Sequence, residues 1–506
     1  MSTVSHRTRR IVVIGGGISG LAAAHRLCEP VAQDNSSARN SSGERSLTDA
    51  PEVLLLEASA RCGGTIRTEE REGFLLEGGP DSFISEKPEV VALAKRLGIA
   101  NRLIETNDLH RRSFVVRGGR LHPTPEGFQL LAPSRMWPFV TTPIFSWRGK
   151  ARMACDLLLP RRFDESVAAE ESLAAFVRRR FGREALERMA QPMVGGIYTA
   201  DPELLSLRAT MPRFLDMERA HRSLIWAMWR AAHKQKSPRD KAQTNGTSGA
   251  RYSLFLTFDG GMKTLTDALV ARLPRDCVQT NHAVERLAFD VATNQWLIKT
   301  SAGQTIRADA VCLALPAHTA ARLLRGIDAA LADELDAISY ASTATINLAY
   351  RRESVPHPLD GFGFVVPFIE GRATLACTFS SLKFAGRAPA GHVLLRAFVG
   401  GALQPEMFAL TDEEMIAAVS RDMRELLGIR DAPLFSQVRR WERSMPQYHL
   451  GHLERIVRVR AHLANFPTLR LAGNAYTGAG LPDCVRSGET AAVELLSNVT
   501  REARVG

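Results

Sequence analysis

The sequence predicts an α/β protein organised around a Rossmann-like unit near its N-terminus, and three observations carry that prediction. A β-branched run, Ile11-Val12-Val13-Ile14, leads into Gly15-Gly16-Gly17-Ile18-Ser19-Gly20 and then into the helix formers Leu21 to Leu27. A second apolar run, Val53-Leu54-Leu55-Leu56, ends at an acid, Glu57. Farther on, amphipathic helical stretches give way to strand-like alternations, with no internal repeat and no heptad pattern.

The chain has 506 residues, enough for two or three domains and a core that needs no staples. A hydrophobic fraction of 45% and a charged fraction of 24% exclude a disordered or fibrous chain. The most apolar run, Ile11 to Ala24, spans 14 residues and holds four glycines, whereas a membrane span needs about 20. Seven cysteines, scattered singly and odd in number, suggest neither a disulfide framework nor a metal site, and a reducing cytoplasm is the simplest setting. Lys and Arg outnumber Asp and Glu by 65 to 54, a net charge of +11 that favours anionic partners without choosing among them. Basic residues before an apolar stretch imitate a secretory signal, and Arg9-Arg10 a twin-arginine one. Both readings are rejected, because cleavage would remove the glycine turn.

Each element then has a chemical reading. In Gly15-x-Gly17-x-x-Gly20 the first glycine permits a tight turn, the second lets backbone approach a pyrophosphate, and the third lets helix and strand pack closely. Amides at the N-terminus of the helix carry the anion. Glu57, with Ala58 after it, is the expected ribose-binding acid. It lies 37 residues beyond Gly20 where about 20 is usual, and the Ser- and Asn-rich loop 30–51 accounts for the excess. Next come Glu57-x-x-x-Arg61-x-Gly63-Gly64-Thr65 and Gly78-Gly79-Pro80-Asp81-Ser82; the E-x-x-x-R-x-G-G run resembles the second phosphate-side signature of flavoproteins related to amine oxidases, which a simple nicotinamide dehydrogenase does not need. The expected cofactor is therefore FAD, with Arg61 set to neutralise pyrophosphate. Gly473-Asn474 and the helix start Leu481-Pro482-Asp483 read as a second flavin contact, the helix aiming its positive end at the flavin.

Between these motifs, residues 123–235 are predicted helical, with amphipathic stretches at 173–177 and 185–189. Aromatic residues Trp137, Phe139, Phe145, Trp147, Trp226 and Trp229 are interleaved with arginines. Residues 232–250 read as a polar linker. Strand-like alternation follows at 295–299 and 344–350.

With Gly196-Ile197-Tyr198-Thr199-Ala200-Asp201-Pro202, His221-Arg222-Ser223-Leu224, Thr257-Phe258-Asp259-Gly260-Gly261, Gly361-Phe362-Gly363 and Pro446-Gln447-Tyr448-x-Leu450-Gly451-His452 added, the chain resembles, nearly end to end, the oxygen-dependent, FAD-containing protoporphyrinogen oxidases of bacteria. It departs from their pattern in its longer loop at 30–51 and in Pro482 where Asn is often found. The resemblance implies an FAD-binding domain of the amine oxidase/p-hydroxybenzoate hydroxylase type from residues 9–105, 250–315 and 440–500. It also implies a sheet-based substrate domain from 106–122 and 316–439, and an α-helical, membrane-contacting domain at 123–235.

The same resemblance assigns Gly15, Gly16, Gly17, Ile18, Ser19, Gly20, Glu57, Ala58, Arg61, Gly64, Thr65, Gly79, Pro80, Asp81, Ser82, Val284, Trp441, Gly473, Asn474, Leu481, Pro482 and Asp483 to noncovalent FAD. For the substrate it points to Arg112 as the partner of a propionate, to Gly196 near the tetrapyrrole, and to Val365 and Phe384 as apolar walls. Arg111 reads as solvated surface charge. No side chain is assigned as an acid or base.

The implied reaction converts protoporphyrinogen IX to protoporphyrin IX in three two-electron steps, three O2 becoming three H2O2. Coproporphyrinogen III is the alternative substrate; amine oxidase, carotenoid desaturase and a flavin-bearing adaptor are remoter readings. The expected partners are the porphyrinogen, oxygen, a membrane surface on the cytoplasmic side of the cell membrane and a second copy of the chain, but not nucleic acid.

Overall fold

Strand Arg10–Ile14 is the centre of a five-stranded parallel sheet in the computed structural model, which describes residues 9–29, 51–129, 132–162, 170–234 and 255–505. The order across the sheet is Val278–Gln279, Glu52–Leu56, Arg10–Ile14, Ala310–Leu313, Leu469–Leu471. The three central strands are apolar on both faces, as a parallel sheet covered on both sides requires. Helices Ile18–Cys28 and Leu481–Val505 cover one face, so closely that a Cβ on Gly488 would lie 2.1 Å from the Ser19 carbonyl oxygen. An antiparallel meander, Val284–Asp290, Gln295–Thr300 and Thr305–Ala308, covers the other with Trp296 at its core.

The expected segments 9–105, 250–315 and 440–500 supply all five parallel strands. Two helices beyond residue 315, Ala317–Leu324 and Ala329–Asp336, also pack here. Leu323, Leu324, Leu331 and Leu335 share a core with Val12, Ile14 and Leu54. Burial of these leucines, invisible in a linear division, joins residues 317–336 to the five-stranded sheet.

A seven-stranded sheet forms the second layer, in the order Phe435–Pro446, Tyr340–Arg351, His392–Gly400, Ala376–Phe379, Gly363–Val365, Phe114–Arg117, Arg120–Pro123. Helix Asp412–Leu427, opened by a capping box of Thr411 and Glu414, buries Met415, Val419 and Met423 against it. Strand Phe435–Pro446 runs unbroken through the expected cut at 439/440.

The stretch expected to be helical, 123–235, does not begin as helix: Pro123 ends strand Arg120–Pro123 and Phe128–Gln129 pairs antiparallel with Ala132–Pro133, so that the described residues are mainly helical only from 136 to 234. The stretch predicted as a helix at 185–189 is in fact a π-helical turn over Leu186–Ala190, between Arg183–Ala185 and Gln191–Tyr198. Phe139 and Phe145 are each only 2% exposed and pack with Phe128, Phe176 and Phe214, so they are core residues and not part of a surface. Trp137 and Trp147, by contrast, are 77% and 73% exposed. Among the described residues no helix is long and apolar enough to cross a membrane. The loop expected at 30–51 lies outside the described residues except for Pro51. Of the one expected at 232–250, residues 232–234 continue helix Leu224–Lys234 and the rest lie outside.

Candidate active site

The glycine turn after strand Arg10–Ile14 has the local geometry its spacing requires. Gly15 takes φ +107°, and a Cβ there would lie 2.4 Å from the Ala314 carbonyl oxygen. A Cβ on Gly20 would lie 1.8 Å from the Gly15 oxygen, so the third glycine lets helix and strand touch. Gly17 differs from both: a Cβ there would meet nothing within 4 Å. Its freedom from packing suits a backbone that must admit a phosphate group. This cradle fits the pyrophosphate of a dinucleotide.

Two glycine loops meet at this point. Gly63 N donates to the Gly16 carbonyl at 2.7 Å, and Gly17 and Gly63 form a parallel bridge. Glu57 closes the arrangement: its Oε2 accepts from Gly16 N at 2.6 Å and its Oε1 from Ser59 N at 2.8 Å. The carboxylate stands at the sheet edge where a ribose would reach it. Arg61 donates to the carbonyls of Cys62, Gly64 and Ile66, which fixes the curve of the second loop. Its guanidinium is therefore a brace for the loop as well as a charge beside it. Ala58, Gly64 and Thr65 are exposed on the rim.

The Gly79–Ser82 segment is held by the seven-stranded sheet. Trp441 Nε1 and Thr345 Oγ1 both donate to the Gly78 carbonyl, at 2.7 and 2.8 Å, and Arg396 donates to the Gly79 carbonyl. Asp81 is paired with Lys383 at 3.0 Å, and this ammonium together with Arg396 holds the Asp81 carboxyl well below the usual range despite burial. Pro80 and Ser82 are half-buried in the same loop. Asp81, Lys383 and Arg396 thus tie the Gly79–Ser82 loop to the second sheet. Lys383 and Arg396 were missed from sequence, since their partners lie some 300 positions away and no short motif surrounds them.

At the C-terminal loop, Gly473 N donates to Ser487 Oγ at 3.0 Å, and the Asn474 carbonyl accepts from the Tyr448 hydroxyl. Leu481 and Pro482 are buried at the start of the final helix. The Asp483 carboxylate is engaged by Lys87 at 2.6 Å and by Arg486, so its side chain is committed within the protein. Val284 is half-buried and opens a strand by pairing with Thr300.

Of the residues expected to meet substrate, the structure brings Gly196 and Val365 together: a Cβ on Gly196 would sit 3.9 Å from Val365 Cγ1. Arg112 precedes strand Phe114–Arg117, its guanidinium 5.5 Å from the Phe114 ring, and it pairs with Asp360, a partner that nothing in the local sequence marks. Phe384 is 2% exposed, with its ring beside Lys383 and Arg387 at 5.0 and 5.7 Å. The expectation for Arg111 is corrected. Its side chain is only 11% exposed and folds back on Asp108 beside the 3-10 turn Asp108–His110, while that of Arg112 is 43% exposed.

The comparisons with known proteins agree with this architecture. Coproporphyrinogen III oxidase of Bacillus subtilis is 34% identical over 98% of this chain and 99% of its own length. That of Propionibacterium freudenreichii is 37% identical, covering 96% and 90%. The crystal structure of an Exiguobacterium protein described as a protoporphyrinogen oxidase superposes with a TM-score of 0.80 at 29% identity, covering 97% and 99%. The model of the flavin-containing amine oxidoreductases matches residues 18–496. The chain therefore belongs to the family of flavin-containing amine oxidoreductases, and its cofactor is FAD.

Proposed function

We propose that this chain oxidises a porphyrinogen to the corresponding porphyrin, with oxygen as the final acceptor and hydrogen peroxide as co-product. The observation that carries the reading is the near end-to-end identity, 34%, with a coproporphyrinogen III oxidase. When bound, FAD supplies the two-electron acceptor. The chain supplies the rest. Gly15 to Gly20 and Gly63-Gly64 would hold the pyrophosphate, and Glu57 the ribose. A porphyrinogen is apolar at its rings and anionic at its propionates, so it needs apolar walls and a well-placed cation. The Gly196–Val365 contact offers such a wall, and Arg112 offers the cation. The reaction on this reading needs positioning more than acid–base machinery.

Coproporphyrinogen III is the substrate we favour. The sequence alone leaned toward protoporphyrinogen IX, but the relatives at 34% and 37% identity carry the former name, and the structure at 29% carries the latter. Both porphyrinogens and a panel of amines should be given to the purified yellow protein while porphyrin fluorescence and peroxide are followed. Higher kcat/KM for coproporphyrinogen III is expected. Preference for protoporphyrinogen IX would restore the reading from sequence, and peroxide from an amine alone would overturn the porphyrinogen reading.

We further propose peripheral contact with the cytoplasmic face of the membrane through exposed Trp137 and Trp147, beside Arg135 and Arg148. Aromatic and basic side chains together suit an anionic interface. Liposome flotation indifferent to anionic lipid and to salt would remove this idea.

A further inference from the structure

We infer that the helical segment carries an anion site suited to a phosphate ester, in a cavity between the turn at 158–161 and helices Pro212–His221 and Leu224–Lys234. The cavity measures about 510 Å3, and Arg161, Arg219, Arg222 and Arg230 line it with Trp226 and Leu158.

The wall behind it is a buried ionic framework. Arg180 is fully buried; its Nε donates to Asp156 Oδ1 at 2.6 Å, and its Nη atoms donate to the carbonyls of Pro160 and Arg222 at 3.0 and 2.6 Å. Ser223 Oγ and Ile225 N both donate to Asp156 Oδ2, and Arg179 grips Glu218 at 2.7 and 2.9 Å. Asp156 and Glu218 are thus committed inward.

Two of the outer groups, Arg161 and Arg222, are oriented by backbone. Arg161 donates to the Arg219 carbonyl at 3.1 Å and Arg222 to the Leu157 carbonyl at 2.8 Å, contacts that fix the direction of each guanidinium. Among the described residues, Arg219, Arg222 and Arg230 meet one carboxylate, that of Asp216, which is exposed and 3.7 Å from Arg219. Arg222 also adopts φ +63°, an uncommon conformation for a side-chain-bearing residue, held in place by Arg180 on its carbonyl.

Cations gathered around one space repel one another, and a bound anion relieves that repulsion. A carboxylate matches one guanidinium fork, whereas a phosphate presents three or four oxygens to forks arriving from separate elements. Here the forks come from the turn and from both helices. The exposed Leu158 and the Trp226 ring, stacked on Trp229 at 5.1 Å, provide an apolar flank for the organic part of the ester. A lipid headgroup and a soluble phosphate ester share this chemistry. The site lies outside the glycine loops, and its test does not depend on the reaction proposed above.

The holoenzyme should be titrated calorimetrically with inorganic phosphate, glycerol phosphate and, as a dicarboxylate control, malonate. It should also be mixed with phosphatidylcholine vesicles with and without phosphatidylglycerol. The paired variant is Arg219→Gln with Arg230→Gln, both exposed positions, with FAD content and thermal unfolding as folding controls. Saturable phosphate binding that weakens at least tenfold in the variant is expected. Loss of binding to the anionic vesicles in the same variant identifies a lipid headgroup; phosphate binding with no preference between vesicles identifies a soluble ester. The inference fails if wild type binds neither phosphate nor anionic vesicles, if the variant binds them as well as wild type, or if malonate binds as tightly as phosphate.

Discussion

Arg112 and Asp360 form an ion pair just ahead of two strands that pair in parallel, Phe114–Arg117 and Gly363–Val365: Arg112 Nε donates to the Asp360 carbonyl oxygen at 2.7 Å, and the guanidinium also meets the Asp360 carboxylate. A substrate carboxylate arriving here must draw the fork away from Asp360. Because the Arg112 side chain is 43% exposed, its net contribution is toward the lower end of the range for charge-assisted pairs.

Arg112→Ala should therefore raise KM for the porphyrinogen about tenfold with FAD content unchanged. Asp360→Asn, which removes the competing carboxylate charge while keeping the backbone contact to Nε, should lower KM. Arg111→Ala should leave KM alone and cost some stability, since its side chain is largely buried. Wild-type kinetics for Arg112→Ala would mean that the substrate's carboxylates are held elsewhere.

The glycine turn separates packing from ligand binding. Gly20→Ala puts a Cβ 1.8 Å from the Gly15 oxygen and should destabilise the protein by about 1–3 kcal/mol or more. Gly17→Ala puts one in open space at an ordinary φ of −69°, so stability should stay within about 0.5 kcal/mol while FAD binding weakens. Denaturant midpoints of the apoproteins and FAD titrations would read the two effects separately. Equal FAD affinity for Gly17→Ala and wild type would place the pyrophosphate away from this turn.

FAD should be held without a covalent bond. Cys484, at the start of the C-terminal helix, is 7% exposed, and burial pushes its thiol up to about 12; Cys62, beside Gly16, is likewise pushed up to about 11. The thiolate is the attacking form, and neither residue forms it near neutral pH. Acid precipitation should release all the yellow colour into the supernatant. Colour that stays in the pellet would contradict this.

His452 should make stability depend on pH. It is 3% exposed and stacks on Tyr448 at 4.2 Å; burial, with help from Arg455 and His449, pushes it down to about 4. The unfolded histidine titrates near 6.5. Between these values the unfolded chain binds a proton that the folded chain refuses, so stability falls as pH drops from about 6.5 to about 4 and levels off below, a loss on the order of 3 kcal/mol. His452→Phe keeps a ring against Tyr448 and should remove this component from the denaturation midpoint. A difference between variant and wild type that is constant over this range would assign the pH dependence to other groups.

Much of the nucleotide-binding half was legible in the sequence, for a local reason. The run Ile11 to Ile14, the spacing of Gly15, Gly17 and Gly20, and an acid at the end of the second strand are consequences of backbone geometry within a few residues. A long loop between them changes the count without changing that geometry, so Glu57 reaches Gly16 N despite the unusual interval. The π-helical turn at Leu186–Ala190 was not legible, since its apolar spacing also fits an α-helix.

The sequence by itself determined the parallel sheet, its glycine turn and the presence of a helical segment, because periodicity and glycine placement act over one or two turns of chain. Only tertiary structure decided that Gly17 meets Gly63, that Lys383 and Arg396 grip the Gly79–Ser82 loop, and that Arg111 turns inward while Arg112 faces Asp360. It also decided that Phe139 and Phe145 enter a core while Trp137 and Trp147 stay at the surface. The physical reason is that Arg111 and Phe145 lie on irregular backbone and Trp137 and Phe139 in a helix of only six residues, Met136–Thr141, where no sustained period declares a direction, and that a buried charge is satisfied by whichever partner the fold brings near, however distant in sequence.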